Sequence, residues 1–405
     1  MGAFFFFALA ACAAGGLILT WGAETYFHNR RMRSKRLRIH VNGIRGKSTV
    51  TRILAGMLRH TGSATIAKTT GSAACLIDQK GRDHSIHRNG APTILEQVGI
   101  VRGLEDGIEA LVIECMAIKP EYQRICEDKI IQSNIGVITN VREDHQDVLG
   151  ETLEEIATSL LSTCPWQGVL ITTETDPSLL AIFRRIASQR NTRLIVADPG
   201  QVSDRQLRQF SYVAFKENVA IGFALADLLG IDPATALDGM VAAAPDPGVL
   251  TISRKTHMAH RITWADLFAV NDRESVIHCV ERVEGIVPEG AIKIGLLNNR
   301  SDREHRALQF ARIAAEDLEL DFVALLGAYE GRVETELIKH GFPAERIIPI
   351  GAHRGIEGES LVNLLISQTD SNELLILGLV NIHTDQAESL RNWFKDGQGV
   401  ANESR

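Results

Sequence analysis

The segment HVNGIRGKST, residues 40–49, decides the fold of this chain of 405 residues. Apolar and polar residues alternate over 37–41 as in a short β-strand, and glycines then interrupt the pattern. From Ser48 onward, apolar residues recur at three- and four-residue spacing, which predicts an amphipathic helix closed by Gly62. A strand, a glycine loop and a helix in this order are typical of a phosphate-binding loop.

The residues of this loop suit a nucleoside triphosphate. Glycine lets backbone amides approach phosphate oxygens closely, and the start of a helix favours anions. Lys47 can reach the β- and γ-phosphates, and the hydroxyl of Ser48 can bind Mg²⁺. The usual pattern also has a glycine where this chain has Val41, so an ordinary strand-to-helix turn is the alternative. The predicted nucleotide-binding residues of the loop are Gly43, Arg45, Gly46, Lys47, Ser48 and Thr49.

Strand-like apolar runs continue through the rest of the chain and alternate with helical patterns. They lie at 110–113, 135–139, 169–172 and 194–197, and then at 292–297, 322–326, 347–350 and 374–377. The segment APDPGVL, residues 244–250, has the composition of a linker between the two groups. We therefore predict an α/β fold in which a parallel-sheet, P-loop ATPase domain precedes a smaller, Rossmann-like domain. The predicted divisions are a membrane anchor and basic linker at 1–36, the ATP-binding domain at 37–250, the second domain at 251–395 and a flexible tail at 396–405.

The N-terminal region has the sequence of a membrane anchor. No charged residue occurs from Gly2 to Ala23, and about 20 largely apolar residues are enough to cross a bilayer as one helix. Six basic residues follow between Arg30 and Arg38, the reverse of the order in a secretory signal peptide. This asymmetry predicts a single-pass transmembrane helix in the cell membrane, with the N-terminus outside and the catalytic domains in the cytoplasm. A cleaved or partly buried N-terminal segment is the alternative.

Charge and cysteine usage exclude several functional classes. The net charge is −7, and residues 1–40 alone carry +5, which leaves −12 for the remainder. An acidic body argues against broad nucleic-acid binding. The six cysteines are scattered without a CxxC pair or regular spacing, which fits neither a zinc site nor a disulfide framework. We expect these thiols to be reduced and mostly buried.

Polar residues follow two of the apolar runs where the predicted strands end. Glu114 comes directly after 110–113, and Asn140 follows 135–139 in a segment that also contains His145. In open α/β sheets ligands bind at the carboxyl ends of strands. Glu114 is therefore a candidate for binding Mg²⁺, Asn140 for contacting nucleotide and His145 for a second metal ion. A helix cap for the acid and a surface position for the histidine are the alternatives.

Together these features resemble the Mur ligase superfamily of ATP-dependent amide ligases, and within it the ligase subunit of poly-γ-glutamate synthase (CapB/PgsB type). The segments that carry the resemblance span most of the chain after the N-terminal region: HVNGIRGKST, AKTTGS (67–72), VIECMAIKPEYQ (112–123), VITNVREDHQDVLG (137–150), ENVAIGFALADLLG (217–230) and LLNNRSDREHR (296–306). The resemblance implies ATP and Mg²⁺ as cofactors. It implies Lys47, Glu114 and His145 as catalytic residues, Asn140 and Asn218 as nucleotide contacts, and a metal-binding set of Ser48, Thr70, Glu114 and His145.

The resemblance also implies the reaction and its partners. The enzyme would join glutamate through γ-amide bonds for a capsule or slime polymer: a carboxylate attacks ATP to give an acyl phosphate, and an amine then displaces phosphate. The implied partners are glutamate, the growing polyglutamate and small membrane subunits of a synthase and export complex; homo-oligomerisation is left open. The candidate cations for this polyanion are Arg82, Arg88, Arg300 and Arg303, for which a solvated surface is the alternative.

The chain departs from the superfamily pattern at three points. Only about 20 residues separate the anchor from the loop, too few for a nucleotide-sugar-binding domain, so a muropeptide substrate is disfavoured. The stretch 156–160 contains no lysine that could be carbamylated, and Glu217 stands where the family has histidine. Two other functions stay open, a folylpolyglutamate-type ligase and a membrane-tethered P-loop ATPase that forms no bond. Glutamate-dependent ATP turnover with a polymeric product would separate them.

Overall fold

The structure is a computed structural model that describes residues 2–71, 74–86, 88, 92–210, 212–246, 250–268, 270, 273–351, 358–381 and 384–395. Within these ranges the side chains of residues 2–12, 251, 274 and 278 are not described. The chain divides between Asp246 and Pro247 into two compact units. The predicted domain boundary is at residue 250, and the predicted tail at 396–405 lies outside the described residues.

An eight-stranded sheet forms the centre of the first unit, in the order β4-β3-β2-β5-β1-β6-β7-β8. The six strands from β2 to β8 in this order are parallel, and β3 and β4 add an antiparallel extension at one edge. The strands are β1 (Leu37–Asn42), β2 (Thr65–Thr69), β3 (Cys75–Ile77), β4 (Asp83–Ser85), β5 (Ala110–Glu114), β6 (Ile135–Ile138), β7 (Val169–Thr172) and β8 (Arg193–Val196). The parallel sheet that the apolar runs predict is confirmed.

Helices occupy the connections between these strands. They are α1 (Gly2–Arg33), α2 (Lys47–His60), α3 (Leu95–Arg102), α4 (Pro120–Ile125), α5 (Gln146–Leu149), α6 (Leu153–Leu160), α7 (Pro177–Gln189), α8 (Asp204–Leu207), α9 (Lys216–Leu229) and α10 (Pro233–Val241). A π-helical turn, Cys126–Ile131, continues α4, and 3₁₀ turns lie at Leu161–Thr163 and Pro199–Gln201. Local sequence sets several starts: Thr152 forms a capping box with Glu155, and Asp176 caps α7 with Pro177 in its first turn.

The central strands are buried on both faces, which explains why they read as uninterrupted apolar runs. Every residue of β5 is buried. One face of the sheet packs against a cluster that includes Met32, Val101 and Ile131, and another cluster surrounds Phe183 below α6 and α7. Five cysteines are free and buried, as expected: Cys75, Cys115, Cys126, Cys164 and Cys279. The side chain of Cys12 lies outside the described residues.

The predicted membrane anchor falls on α1, whose helical form is confirmed. The side chains of its first residues, up to position 12, lie outside the described residues. No helix in the described part of the chain combines the length and the apolar character needed to cross a lipid bilayer. The transmembrane part of the prediction is therefore without support there, where the helix carries Glu24 and ends in Arg30, Arg31 and Arg33.

The second unit contains a six-stranded sheet in the order β13-β12-β11-β14-β10-β9. Its strands are β9 (Thr251–His257), β10 (His260–Asp266), β11 (Ile292–Asn299), β12 (Phe322–Gly327), β13 (Ile347–Gly351) and β14 (Glu373–Leu379). All neighbours are parallel except β9 and β10, which form an antiparallel hairpin that the sequence analysis missed. The strand order reverses between β11 and β14, as in a doubly wound fold.

In the described part of this unit, five helices accompany the second sheet: α11 (Arg273–Glu284), α12 (Glu304–Glu316), α13 (Glu330–Lys339), α14 (Gly358–Ile366) and α15 (Asp385–Lys395). A 3₁₀ turn, Ala344–Arg346, precedes β13. On one face Trp264 stacks on Phe394, with ring centroids 5.2 Å apart, within a cluster that includes Phe268 and Leu390. The Rossmann-like character predicted for this region is confirmed.

Candidate functional site

The glycine loop lies between β1 and α2, and close packing requires two of its glycines. Gly43 has φ +130°, and a Cβ there would overlap Oγ1 of Thr139. Gly46 has φ +77°, and a Cβ there would lie 2.7 Å from Oδ1 of Asn218. Asn218 is buried on α9 and thus packs directly against the loop. The two glycines permit a backbone path that side chains would block.

The end of β6 holds the loop in place. The backbone amide of Arg45 donates to Oδ1 of Asn140 at 3.0 Å, and Nδ2 of Asn140 donates to the carbonyl oxygen of Arg45 at 3.1 Å. Oγ1 of Thr139 donates to the same carbonyl oxygen at 2.6 Å. In the structure Asn140 is therefore a brace for the loop, and its direct contact with nucleotide stays a prediction.

Lys47 folds back over the loop that precedes it. Its Nζ donates to the carbonyl oxygens of Gly43 and Ile44 at 2.7 and 3.1 Å. Burial lowers the pKa of Lys47 below its ordinary value, while the negative charge of Glu114 acts in the opposite direction. The ammonium group is held at the glycine loop, where a phosphate oxygen is a stronger acceptor than either carbonyl.

Glu114 organises the corner next to the loop. Its side chain is buried, and Oε2 accepts hydrogen bonds from Oγ of Ser48 at 2.8 Å and from the backbone amide of Thr70 at 2.6 Å. Its backbone carbonyl accepts a hydrogen bond from Nε2 of Gln97 at 3.3 Å. Gly71 packs so closely that a Cβ there would lie 2.5 Å from Oγ of Ser48. The structure thus brings together Ser48, Glu114 and the backbone of Thr70. The hydroxyl of Ser48 and the carboxylate of Glu114 are oxygen ligands of the kind that Mg²⁺ prefers, and a metal contact of the Thr70 hydroxyl stays a prediction.

His145, the fourth predicted metal ligand, lies in a different setting. It precedes α5 with φ 47°, and half of its side chain is exposed. Its Nε2 lies 3.8 Å from Oδ1 of Asp144, whose Oδ2 forms an ion pair with Arg45 at 3.2 Å. His145 is thereby connected to the glycine loop through Asp144. Within the described residues there is no group of three or more His, Cys, Asp and Glu side chains that could hold a metal. The role of His145 as a metal ligand therefore stays a prediction.

Three of the four predicted substrate cations form ion pairs within their own unit. Arg82 is exposed in the turn between β3 and β4 and pairs with Asp78. Arg88 makes a bidentate pair with Glu96 at 2.7 and 3.0 Å. In the second unit, Arg300 makes a bidentate pair with Asp302, both at 2.9 Å, just after the end of β11. Arg303, the fourth of these cations, precedes α12 and is exposed, and the charge of Asp302 interacts with it.

Sequence analysis missed a second charged cluster beside this corner. Lys68, on β2, is completely buried, and its Nζ lies 2.8 Å from Oε1 of Glu96. Glu96 is the same carboxylate that binds Arg88, so one acid serves two cations. A lysine inside the otherwise apolar and hydroxylated strand TIAKT was the available signal, because buried lysines are rare unless paired.

Two family models match this chain, one on each unit. The model of the Mur ligase middle domain matches residues 41–223, and that of the poly-γ-glutamate synthase CapB C-terminal domain matches residues 252–397. The chain is 36% identical over 364 residues to the capsule biosynthesis protein CapB of Bacillus anthracis, covering 89% of this chain and 77% of that protein. It is 36% identical over 380 residues to the PGA synthase CapB of Bacillus subtilis (strain 168), covering 93% of this chain and 94% of that protein.

The fold also resembles that of a solved ligase structure. The structure of E. coli FolC in complex with DHPP and ADP superposes with a TM-score of 0.62 at 12% identity, covering 92% of each chain. At this level of identity the likeness concerns the fold alone.

Proposed function

The chain belongs to the poly-γ-glutamate synthase CapB family, in which a Mur ligase middle domain forms the first unit, and from this premise we propose how it works. It is an ATP-dependent amide ligase that joins glutamate through γ-amide bonds in the synthesis of a capsule or slime polymer. The observation that carries the mechanism is the corner in which Ser48 and the amide of Thr70 both bind Oε2 of Glu114, next to Lys47.

The residues of this corner fit ATP and Mg²⁺. At Gly43, Gly46 and Gly71 a Cβ would collide with Thr139, Asn218 and Ser48, so glycine at these positions permits the tight backbone path of a phosphate-binding loop. The hydroxyl of Ser48 and the carboxylate of Glu114 would hold the metal ion, and Lys47 would bind the terminal phosphates. When bound, MgATP supplies the phosphoryl group that turns a carboxylate into a better acyl donor.

This chain's own residues then act by position and charge. A substrate carboxylate attacks the γ-phosphorus, which gives an acyl phosphate and ADP, and the amine of glutamate displaces phosphate to form the amide. Three anionic groups meet in this step, so positive charge and fixed geometry are the main requirements. Lys47 supplies the charge, and the hydrogen bonds of Arg45 with Thr139 and Asn140 fix the loop that carries it. His145 is proposed to assist through its link with Asp144 and Arg45.

The closest alternative functions differ from this proposal in one property each. A folylpolyglutamate-type ligase would need a pteridine acceptor, and a bond-free ATPase would turn over ATP without an amino acid. The match of residues 252–397 to the CapB C-terminal domain favours the polyglutamate reaction over both.

We place the chain at the cytoplasmic face of the cell membrane, in a complex with small membrane subunits that export the polymer. Residues 2–23 contain no charge, and six basic residues follow up to Arg38. The described part of α1 exposes Leu17, Ile18, Leu19, Trp21 and Tyr26, which suits an apolar surrounding. Deleting residues 2–23 from a chain produced without the membrane subunits tests this location: the truncated chain should move from the membrane fraction to the soluble fraction, and its retention in membranes would contradict the anchor.

Membranes that contain the full chain provide the test of the reaction. They receive ATP, Mg²⁺ and labelled glutamate, and ADP and polymer are measured together. We expect ADP formation that depends on glutamate and a product that resists proteases specific for α-peptide bonds. A Lys47→Met variant in the same membranes is the control for background ATPases. Equal ADP formation with and without glutamate would contradict the ligase function.

A further inference from the structure

In the cluster of Lys68, Glu96 and Arg88, two positively charged side chains bind the same carboxylate. Nζ of Lys68 lies 2.8 Å from Oε1 of Glu96, and Nε and Nη2 of Arg88 donate to Oε2 and Oε1 of Glu96 at 2.7 and 3.0 Å. Two cations therefore share one carboxylate as their hydrogen-bonded partner, and the negative charge of Glu114 also acts on both. Lysine and arginine carry eight N–H donors in all, whereas the acceptors that the described residues provide are the two oxygens of Glu96 and the sulfur of Met116.

A purely structural role explains this arrangement poorly. Lys68 is completely buried, and Ile66 on the same strand packs into the apolar cluster around Val101 and Ile131. An apolar residue at position 68 would extend that cluster, and buried charges usually cost more stability than well-packed apolar groups.

The position of the cluster connects it with the catalytic corner. Lys68 pairs in register with Ile113, the residue before Glu114, and lies two residues before Thr70. Nζ of Lys68 is 3.6 Å from Sδ of Met116, two residues after Glu114. The residue after Glu96, Gln97, donates to the backbone carbonyl of Glu114. The cluster thus lies at the carboxyl ends of β2 and β5, the edge at which parallel sheets bind ligands.

The reaction needs a site for a second carboxylate at this edge. The terminal glutamate of a γ-linked chain carries a free α-carboxylate and a free γ-carboxylate, and only the γ-carboxylate becomes the acyl donor. An enzyme that forms γ-amides therefore has to hold the α-carboxylate away from ATP. A pair of cations that share one hydrogen-bonded carboxylate and keep further N–H donors is complementary to that group.

We propose that Lys68 and Arg88 bind the α-carboxylate of the terminal glutamate of the growing polymer and so direct its γ-carboxylate to ATP. The bound carboxylate joins Glu96, which gives two cations and two anions. This assignment rests on the proposed polyglutamate function and adds a specificity site to it. Arg88 is the accessible member, with a quarter of its side chain exposed, whereas Lys68 forms the buried floor.

The test uses the full-length protein in membranes and two substrates. One is a short γ-linked glutamate oligomer, and the other is the same oligomer with its terminal α-carboxylate replaced by a carboxamide. Binding is measured by equilibrium dialysis, and KM and kcat are measured by ADP formation. We expect the wild-type protein to bind the carboxamide about tenfold to 100-fold more weakly, the effect of losing hydrogen bonds between charged groups. In Arg88→Gln the carboxylate oligomer should bind as weakly as the carboxamide, with a larger change in KM than in kcat.

Arg102→Gln is the matched control, because Arg102 also loses an ion pair with an acid, Glu24, but lies exposed at the end of α3 and has no predicted role in binding. It should retain the wild-type preference for the carboxylate. Lys68→Met, checked by thermal unfolding, should lose the preference in the same way as Arg88→Gln. A wild-type preference that persists in Arg88→Gln, or a wild-type protein without any preference, would overturn the site. A preference that depends on Arg88 in a protein that forms no γ-amide would instead keep the site and overturn the proposed function.

Discussion

The two units place polar groups at the carboxyl edge of a parallel sheet, but the chemistry of the two edges differs. In the first unit, Lys47, Ser48 and Glu114 bring opposite charges and a hydroxyl to one corner beside an open glycine loop. In the second unit, neutral amides bind each other where the strand order reverses. Nδ2 of Asn298 donates to the carbonyl oxygen of Asn381 at 2.6 Å, and Nδ2 of Asn381 donates to the carbonyl oxygen of Asn298 at 3.0 Å.

This difference indicates that the two edges serve different purposes in the protein. The first edge keeps charged groups whose present partners, such as backbone carbonyls, are weaker than phosphate or Mg²⁺. The second edge satisfies Asn298 internally, including a hydrogen bond from Oγ1 of Thr384 to Oδ1 of Asn298 at 2.8 Å. Phosphoryl transfer needs charge, so it belongs to the first edge, whereas the second edge is built for rigidity. Substitutions at the two edges should therefore affect different measurements.

The largest effect is expected at Lys47. Lys47→Met removes the positive charge at the glycine loop, and loss of a group of this kind lowers kcat by about 10²–10³-fold. Stability should fall by only about 1–2 kcal/mol, since the carbonyls of Gly43 and Ile44 lose one shared donor. Glutamate-dependent ADP formation and denaturant unfolding measure the two effects. A variant that keeps more than a tenth of the wild-type kcat would break the contrast between the edges.

Glu114→Gln should produce the next largest effect. The amide oxygen can still accept hydrogen bonds from Ser48 and Thr70, so the corner keeps its geometry but loses its negative charge. We expect about a 100-fold loss of kcat/KM and a clear rise in the Mg²⁺ concentration needed for half-maximal activity. A titration of activity against Mg²⁺ measures this. If the Mg²⁺ requirement stays at its wild-type value, Glu114 does not hold the metal ion.

At the second edge, Asn298→Ala should act on stability first. The side chain is completely buried and takes part in hydrogen bonds with Asn381 and Thr384. Its removal takes a donor from the carbonyl oxygen of Asn381 and an acceptor from the hydroxyl of Thr384, which costs about 2–3 kcal/mol. Denaturant unfolding of the full chain checks this value. We expect kcat per folded molecule to change less than threefold, and a loss comparable to that of Lys47→Met would show that the second edge takes part in chemistry.

The sequence predicts the first edge well because its signals are local. The glycine loop, the apolar run of β5 with Glu114 after it, and the run of β6 before Asn140 each lie within a dozen residues. The pairing of Lys68 with Glu96 is different, because it joins a strand to a helix 28 residues later and has no periodic pattern. Ion pairs of this kind depend on packing that the sequence does not encode locally.

The β9–β10 hairpin shows a second reason for missed elements. The two central residues of a tight hairpin are usually Asn-Gly or Asp-Gly, because both positions need positive φ. Here Met258 and Ala259 occupy those positions with φ 48° and 69°. The sheet around them therefore determines the turn, and no turn signal appears in the sequence.

The smallest effect is expected at Arg300, the cation closest in sequence to the second edge. Its pair with Asp302 spans two residues at the surface, and such pairs contribute less than about 1 kcal/mol. Arg300→Gln should therefore leave stability within about 0.5 kcal/mol. The predicted contact of this partly exposed side chain with substrate leads us to expect a KM for glutamate that is about threefold higher in the variant. Arg312→Gln is the matched control, because it removes the ion pair of another exposed arginine on α12 with Glu336 on α13. It should leave the KM unchanged. An equal KM for both variants would show that Arg300 is a solvated surface residue, and Arg303 would then be the remaining predicted substrate cation of the second unit.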